Sequence, residues 1–173
     1  MRLEDLVVAA RRCGPAGVGY NELIDMVADL ELPAKLVEAH IQFDAERYAR
    51  NLILRTQAFE LLALCWFPGQ QPVIHDPGGS VGAVRVYRGN LTSRLFAAPD
   101  GKPARMTDVD IVAPGGLAAV DRHHIHQLAN PGPEELVTIH VYSPPLRTIS
   151  QFSTESPERS QVTLRYSVQD DLS

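Results

Sequence analysis

The chain has 173 residues, of which 45% are hydrophobic, enough for one domain with a sizeable core. Its net charge is −5 and its 16 basic residues are scattered, which argues against nucleic acid or an anionic membrane as a partner. No run of 18 apolar residues predicts a transmembrane helix, and acidic residues near the start argue against a signal peptide. Cys13 and Cys65 match no disulfide or zinc pattern, so we expect a cytoplasmic protein with reduced thiols.

The first 46 residues have the pattern of short helices. Apolar residues recur at helical spacing from Leu3 to Ala10. Asn21 is placed to cap a second helix, and Pro33 suits the first turn of a third. We therefore expect an N-terminal region of two or three short α-helices over residues 1–46.

After Tyr48 the apolar segments shorten and turn residues recur. The segments predicted to be strands are, in chain order, NLILRTQAFELLALCWF, GAVRVYRG, LTSRLFAA, MTDVDIVAPGG and LVTIHVYSPP. Many short strands separated by turns predict a sandwich or barrel. We expect a mainly β, single-domain protein with its barrel core at residues 47–150. The polar residues 151–173 are expected to form a tail, ordered as an edge strand at VTLRYSV or left without regular structure.

Histidines are concentrated in the second half of the predicted barrel. Four of the six lie between residues 123 and 140, and a fifth is His75. Neutral imidazole is a common ligand of iron, zinc, copper and nickel. A single histidine is more often hydrogen-bonded or exposed than bound to metal, but a cluster inside a barrel favours a metal site.

Glycine and histidine spacings match the first motif of the cupin family, G-x5-H-x-H-x4-E-x6-G. Gly69, His75, Gly82 and Gly89 occupy its positions, with Pro77 for the second histidine and Gly82 for the glutamate. Alternate residues of a strand face the same side, so a histidine pair at i and i+2 directs two imidazoles into a barrel. A third imidazole then comes from a neighbouring strand.

The second cupin motif, G-x5-P-x-G-x2-H-x3-N, also has a counterpart. Gly115, His126 and Asn130 match it, with Asp121 and His123 in place of its proline and second glycine. Either motif alone is weak, whereas both in order are moderately specific for a cupin barrel.

Residues 45–147 resemble one cupin family more closely, cysteine dioxygenase type I. The segments RYARNLI, LLALCWFPGQQPVIHD, YRGNLTSRLF, IHQLANPG and TIHVYSPPL occur in the order found in that family. The resemblance implies a small jelly-roll barrel behind N-terminal helices and a mononuclear non-haem Fe(II) held by three histidines. It implies oxidation of cysteine to cysteine sulfinic acid with O2. We expect a monomer whose partners are a small thiol and O2.

The resemblance assigns ligand and substrate roles to individual residues. His75 and His126 take the places of the first and third iron ligands. Arg50 falls where the family binds the substrate carboxylate, and a guanidinium suits a carboxylate because it forms two parallel hydrogen bonds. Tyr48 lies two residues earlier, so on a strand it faces the same side.

Two further residues take catalytic roles from the resemblance. Tyr142 matches the active-site tyrosine, His140 matches the histidine bound to it, and Thr138 stands where the family has serine. The three alternate, so one strand face carries hydroxyl, imidazole and phenol. The alternative is an inward-facing polar trio with no catalytic role. Gly82 stands where mammalian members have a cysteine crosslinked to this tyrosine and bacterial members commonly have glycine, so no crosslink is expected.

Pro77 departs from the family because it replaces the second iron histidine and has no side-chain donor. In one hypothesis His124 substitutes for it, since on a strand it faces the same side as His126. In a second, Asp76 or water completes a weaker site. In a third, the barrel binds no metal and is a pseudoenzyme that holds a small carboxylate. A dioxygenase for another thiol, such as 3-mercaptopropionate, is also open, although Arg50 favours cysteine.

Overall fold

The computed structural model describes residues 1–169, so the end of the predicted tail, residues 170–173, lies outside the described part. The helices are α1 (Leu3–Cys13), α2 (Tyr20–Ala28) and α3 (Ala34–Ala39), with a 3-10 turn at Gly14–Ala16. The predicted N-terminal helices are therefore present. The cap predicted at Asn21 is wrong, because α2 begins one residue earlier and Gly19 is its N-cap. Pro33 directly precedes α3 as its N-cap.

Twelve strands over residues 1–169 form two six-stranded sheets, which confirms a mainly β protein. The strands are β1 (Ala49–Arg55), β2 (Glu60–Trp66), β3 (Ile74–His75), β4 (Val81–Arg88), β5 (Leu91–Ala97), β6 (Arg105–Val112), β7 (Leu117–Val120), β8 (Ile125–Ala129), β9 (Leu136–Ser143), β10 (Thr148–Phe152), β11 (Ser160–Thr163) and β12 (Val168–Gln169). The first sheet has the order β12-β1-β2-β9-β4-β7, and the second has β11-β10-β3-β8-β5-β6. Neighbouring strands are antiparallel except β1 and β12, which are parallel.

Both faces of the central strands β2 and β9 of the first sheet are buried, which explains why these strands are almost continuously apolar. On β2, Leu61 packs in the cluster that contains the helices, whereas Leu62 and Leu64 pack in the barrel interior. On β9, Ile139 and Val141 face the helices. The residues between them on β9 therefore face the barrel interior, because side chains of a strand alternate.

Arg85 on β4 fastens α2 to the outside of this sheet. Its guanidinium donates hydrogen bonds to the carbonyls of Val27, Ala28 and Leu30. These carbonyls lie in the last turn of α2 and just after it, where backbone donors run short, although that of Val27 also accepts the amide of Leu30 at 3.3 Å. One arginine thus satisfies the helix terminus and fixes the helical layer.

The first predicted strand segment is in fact a hairpin. The chain turns at residues 56–59, where Thr56 Oγ1 accepts the amides of Ala58 and Phe59 at 3.1 and 3.0 Å. The short strands β3, β7 and β10 fall between the predicted segments. Within VTLRYSV, β11 ends at Thr163 and β12 begins at Val168.

Residues 164–167, which we call the strap, join β11 to β12. Because these two strands are edges of different sheets, the strap bridges the two sheets. The amide of Leu164 donates to the carbonyl of Arg147 at 2.8 Å. The amide of Ser167 donates to the carbonyl of Arg50 at 2.8 Å, and the amide of Arg50 donates to Ser167 Oγ at 3.0 Å. Over residues 1–169, no helix is long and apolar enough to cross a membrane.

Candidate active site

His75 and His126 face each other from neighbouring strands. They are paired residues of β3 and β8, and their ring centroids lie 4.4 Å apart. Both side chains are buried, at 7% and 1% exposure. Burial lowers the pKa of His75 and lowers that of His126 well below its ordinary value. Both imidazoles are therefore neutral at pH 7, which is the form that binds metal.

The ring nitrogens of this pair are suited to a cation. His75 Nδ1 donates to the carbonyl of Val73 at 2.7 Å, which leaves the lone pair of Nε2 free. Neither ring nitrogen of His126 has a hydrogen-bond partner within residues 1–169, although both are buried. A buried polar group without a partner costs about 1–3 kcal/mol. A bound cation would offset that cost, so these two residues fit part of an iron site.

Within residues 1–169, no His, Cys, Asp or Glu side chain joins the pair as a third ligand. His124 lies in the turn before β8, where its Nδ1 accepts the amide of Asp121 at 3.2 Å. The strand face predicted for His124 and His126 does not form, because β8 begins only at Ile125. Across residues 1–169, no group of three His, Cys, Asp or Glu side chains could hold a metal ion.

Asp76 is also directed elsewhere. Its Oδ1 accepts the amides of Gly78 and Ser150, at 3.0 Å each. Pro77 is buried and begins a tight turn, in which its carbonyl accepts the amide of Ser80 at 2.9 Å. A Cβ on Gly78 would lie 1.9 Å from the carbonyl oxygen of Thr148, so only glycine fits there. The chain after His75 is thus held against β10 and supplies no donor in place of the second histidine.

A chain of buried hydrogen bonds runs along β9. Trp66 Nε1 donates to Thr138 Oγ1 at 3.0 Å, and Thr138 Oγ1 lies 2.8 Å from His140 Nε2. His140 Nδ1 lies 3.0 Å from the hydroxyl oxygen of Tyr142. The inward face of hydroxyl, imidazole and phenol thus forms a connected chain, and Trp66 extends it by one residue.

Trp66 sets the direction of this chain, because an indole N–H can only donate. Thr138 Oγ1 accepts it, so its own hydrogen goes either to His140 at 2.8 Å or to the carbonyl of Leu64 at 3.5 Å. The shorter contact favours His140, which places the imidazole proton on Nδ1, facing Tyr142. The hydroxyl hydrogen of Tyr142 is then left to point into the barrel. Burial raises the pKa of Tyr142 and lowers that of His140, so both are neutral at pH 7.

Arg50 reaches the same interior from β1. Its Nη2 lies 3.2 Å from Oε1 of Glu60, and both side chains are buried, at 7% and 0% exposure. Arg50 Nε is buried without a partner in residues 1–169, so this donor is available to a ligand. Tyr48 stacks on Trp66 with ring centroids 4.4 Å apart, and burial raises its pKa. Glu60 was not among the predicted site residues.

A cavity of about 10 Å³ lies between these groups. Its lining includes Tyr48, Arg50, His75, His140, Tyr142 and Leu164. A volume of this size holds about one water molecule. A cleft of about 310 Å³ lies outside it, lined in part by the arginines at positions 47 and 165. Leu164 of the strap lines both spaces, so the strap forms a wall between the cavity and the cleft.

Comparison with known proteins identifies the family. Residues 16–155 match the family model described as cysteine dioxygenase type I. The chain belongs to the cysteine dioxygenase type I family. Human cysteine dioxygenase type 1 is 32% identical over 132 residues, which are 73% of this chain and 66% of the human protein. The zebrafish (Danio rerio) enzyme is 28% identical over 131 residues, 72% of this chain and 65% of its own. The chain thus spans about two thirds of the length of the curated relatives it matches.

Solved structures support the cupin barrel of this cysteine dioxygenase family member. A Thermus thermophilus protein superposes with a TM-score of 0.55 at 16% identity, over 63% of this chain and 94% of its own. A Klebsiella pneumoniae protein with a double-stranded β-helix domain superposes with a TM-score of 0.52 at 18% identity, and the match covers 66% of this chain and 91% of that protein. These likenesses show the fold alone, and they confirm the predicted cupin architecture behind short N-terminal helices.

Gly82 allows the tyrosine of this family member to sit against β4. Gly82 and Tyr142 are paired across β4 and β9. A Cβ on Gly82 would lie 2.8 Å from Tyr142 Cε1 and 2.9 Å from Cδ1. Any side chain there would displace the ring, and glycine itself has no atom to crosslink to it.

Proposed function

We propose that the protein is a thiol dioxygenase that oxidises cysteine to cysteine sulfinic acid at a mononuclear non-haem iron. The observation that carries the proposal is the set of side chains in one barrel interior. Two imidazoles with free ring nitrogens (Nε2 of His75 and both nitrogens of His126), a guanidinium (Arg50) and a phenol (Tyr142) converge there. Membership of the cysteine dioxygenase type I family supports the same chemistry.

Iron would supply the activation of O2 and the lowering of the thiol pKa. His75 Nε2 and His126 would hold it, and Pro77 leaves them without the third imidazole. The residues therefore fit the ion in part, and we expect weaker binding than three histidines would give. The reaction adds both oxygen atoms to sulfur, R–SH + O2 → R–SO2H, so it needs no other reductant.

The protein side chains bind and orient the substrate. Arg50 offers its unpaired Nε to the substrate carboxylate, in a charge-assisted hydrogen bond. Tyr48 stacks on Trp66 and closes that side of the cavity. Tyr142 holds a proton at its hydroxyl and donates it towards the reacting sulfur or oxygen atoms. His140 keeps that hydroxyl in place.

Oxygen uptake tests the proposal. The full chain, loaded with Fe(II) without air, should consume one O2 for each cysteine sulfinate formed, with the product measured by mass spectrometry. His126→Ala should lose both iron and activity. An iron-loaded protein that forms no sulfinate from cysteine or from 3-mercaptopropionate would overturn the proposal.

Pro77 favours a second candidate function, a metal-poor or metal-free cupin that binds a small carboxylate at Arg50. Iron titration separates the two, because this candidate takes up no iron at micromolar Fe(II). A dioxygenase for 3-mercaptopropionate is separated by the ratio of kcat/KM for the two thiols.

We propose a cytoplasmic location for the enzyme. Cys13 and Cys65 are both free, which suits a reducing compartment. Burial raises the pKa of the Cys65 thiol to about 11, so this cysteine stays protonated and unreactive. We expect the enzyme to act as a monomer.

A further inference from the structure

A separate pocket of about 170 Å³ borders the strap, and we call it the arginine pocket. Its volume is at least about ten times the space that one water molecule needs, so it has room for a small ion with some of its water. It shares Arg50 and Leu164 with the small cavity. The residues that it adds are Arg55, Arg147, Thr163 and Tyr166.

Two guanidinium groups of this pocket have buried donors without an acceptor. Arg50 is buried, and its Nε has no partner within residues 1–169. Nη2 of Arg55 is likewise buried without a partner in that part of the chain. The guanidinium carbon of Arg55 lies 5.8 Å from the ring centroid of Tyr166, and a contact with a ring face provides no lone pair for Nη2. A buried charged donor without an acceptor is unfavourable, so a bound acceptor would stabilise both groups.

The charges around the arginine pocket do not balance within residues 1–169. Arginines line it at positions 50, 55 and 147, and the acid bonded to its lining residues is Glu60. Glu60 accepts from Arg50 Nη2 at 3.2 Å and from the hydroxyl of Tyr166. Burial, together with the adjacent Glu60, raises the pKa of Tyr166 to about 12, so this hydroxyl adds no charge at pH 7. Glu60 matches one of the three arginines, and two positive charges are left over.

We propose that the arginine pocket binds a small tetrahedral oxyanion, for which inorganic sulfate and phosphate are the probes. Guanidinium groups bind such oxyanions through parallel charge-assisted hydrogen bonds. Two unmatched cations favour a divalent anion over a monovalent carboxylate. The neighbouring cleft adds little competition, because Arg47 already pairs with Asp44 at 3.5 Å and Arg165 is exposed to screening water. The inference goes beyond the proposed thiol oxidation and needs no iron.

An anion in this pocket would hold the strap in place. Arg50 and Arg55 belong to β1, and Arg147 directly precedes β10, whereas Leu164 belongs to the strap. The amide of Leu164 already donates to the carbonyl of Arg147, and that of Ser167 to the carbonyl of Arg50. An anion that orders these arginines should therefore slow hydrogen exchange of the Leu164 and Ser167 amides.

Calorimetric titration of the full chain with sulfate or phosphate tests the inference, with sodium chloride added to keep the ionic strength constant. We expect saturable binding at one site, with acetate binding at least about tenfold more weakly than sulfate. Arg55→Gln and Arg147→Gln should each lower the affinity for sulfate at least about tenfold, because each removes a charge-assisted hydrogen bond. Arg147 is exposed, so its variant carries the test if Arg55→Gln does not fold.

Arg165→Gln is the matched control. It removes the same charge from the strap, but Arg165 lines the outer cleft and not the arginine pocket. Its affinity for sulfate should therefore stay within about threefold of the wild type. Hydrogen exchange with and without sulfate should show slower exchange of the Leu164 and Ser167 amides in the wild type and in Arg165→Gln, and no slowing in Arg147→Gln.

Four outcomes would overturn the inference. The first is the absence of saturable binding of sulfate and phosphate up to tens of millimolar. The second is acetate binding as tight as sulfate binding, and the third is an equal loss of affinity in Arg165→Gln and Arg147→Gln, which would indicate diffuse attraction. The fourth is binding that survives Arg55→Gln and Arg147→Gln but is lost in Arg50→Ala, which would place the anion in the small cavity.

Discussion

Replacing Pro77 with histidine tests whether this chain holds an incomplete iron site. Pro77 lies two residues after His75, at the position of the second histidine in the cupin motif. The imidazoles of His75 and His126 are already buried and 4.4 Å apart. Pro77→His should therefore add a third imidazole to a pair whose nitrogens are free to ligate.

The expected gain in iron affinity follows from the ligand count. Loss of groups that merely support metal ligands costs about 10–100-fold. A direct ligand should contribute at least about 100-fold, or roughly 2.7 kcal/mol. The same change removes the rigid proline of the turn, which costs about 0.4–1 kcal/mol of folding stability. We therefore expect the iron-free variant to melt a few degrees lower and the iron-loaded variant to melt higher than the wild type.

The assay is anaerobic Fe(II) titration against a coloured chelator, followed by melting curves with and without iron. His126→Ala in the Pro77→His background should cancel the gain. His124→Ala is the matched control, because His124 is engaged in the turn by the Asp121 amide and should leave iron affinity unchanged. A Pro77→His variant whose iron affinity stays within threefold of the wild type would refute the expectation that residue 77 faces the pair, and unchanged iron affinity in His126→Ala would refute the assignment of His75 and His126 as ligands.

Three further predictions concern substrate binding, proton donation and pH. Arg50→Ala should raise KM for cysteine about 10–100-fold by removing a charge-assisted hydrogen bond of ~1.5–3 kcal/mol, with iron content unchanged. Adding Glu60→Gln to this variant should restore its stability but not its KM. If KM is unchanged in Arg50→Ala, Arg50 does not belong to the substrate site. Tyr142→Phe should lower kcat by about 10²–10⁴ at equal iron content, whereas a lower Tm with unchanged kcat would make the tyrosine structural. The three buried histidines at positions 75, 126 and 140 have lowered pKa values, so they bind protons more readily in the unfolded chain. Urea titrations of the iron-free protein at several pH values measure the effect. The free energy of unfolding should be highest above about pH 6.5 and should fall below that pH by up to about 1.4 kcal/mol per pH unit for each histidine. A free energy of unfolding that stays constant from about pH 7.5 to 5.5 would contradict the burial of these histidines.

Local periodicity predicted the β9 face well. Thr138, His140 and Tyr142 alternate in sequence, and in the structure they are joined by hydrogen bonds. Side chains alternate between the two faces wherever a segment forms a continuous strand. β9 is such a strand over eight residues, all of them buried. Tyr48 and Arg50, which were predicted to face the same side, both line the cavity.

The same rule failed at His124 because it was applied across a strand boundary. Polar side chains in residues 121–124 bond their own backbone and form a turn, so the strand starts later. Whether these residues form a turn or extend the strand depends on their hydrogen bonds, which cannot be read from the spacing of two histidines.

Glu60 was missed although the sequence carried a hint of it. It is the one acidic residue within AFELLALCWF, and an acid inside an apolar strand needs a buried partner. That the partner is Arg50, and that Tyr166 joins them, depends on contacts across 10 and 106 positions of sequence. No local pattern predicts the second of these.

The strap forms one wall of the site and is held by fewer backbone hydrogen bonds than the walls formed by the barrel strands. Most walls belong to strands paired along their length, whereas within residues 1–169 β12 pairs with β1 at two positions, Asn51 with Val168 and Leu52 with Gln169. Segments held by few backbone bonds open at a lower free energy than the core they rest on. Amide hydrogen exchange should therefore be fast along the strap and slow along β9. Since the cavity beneath it holds about one water molecule, we expect this local unfolding to set how often a substrate can enter and a product can leave.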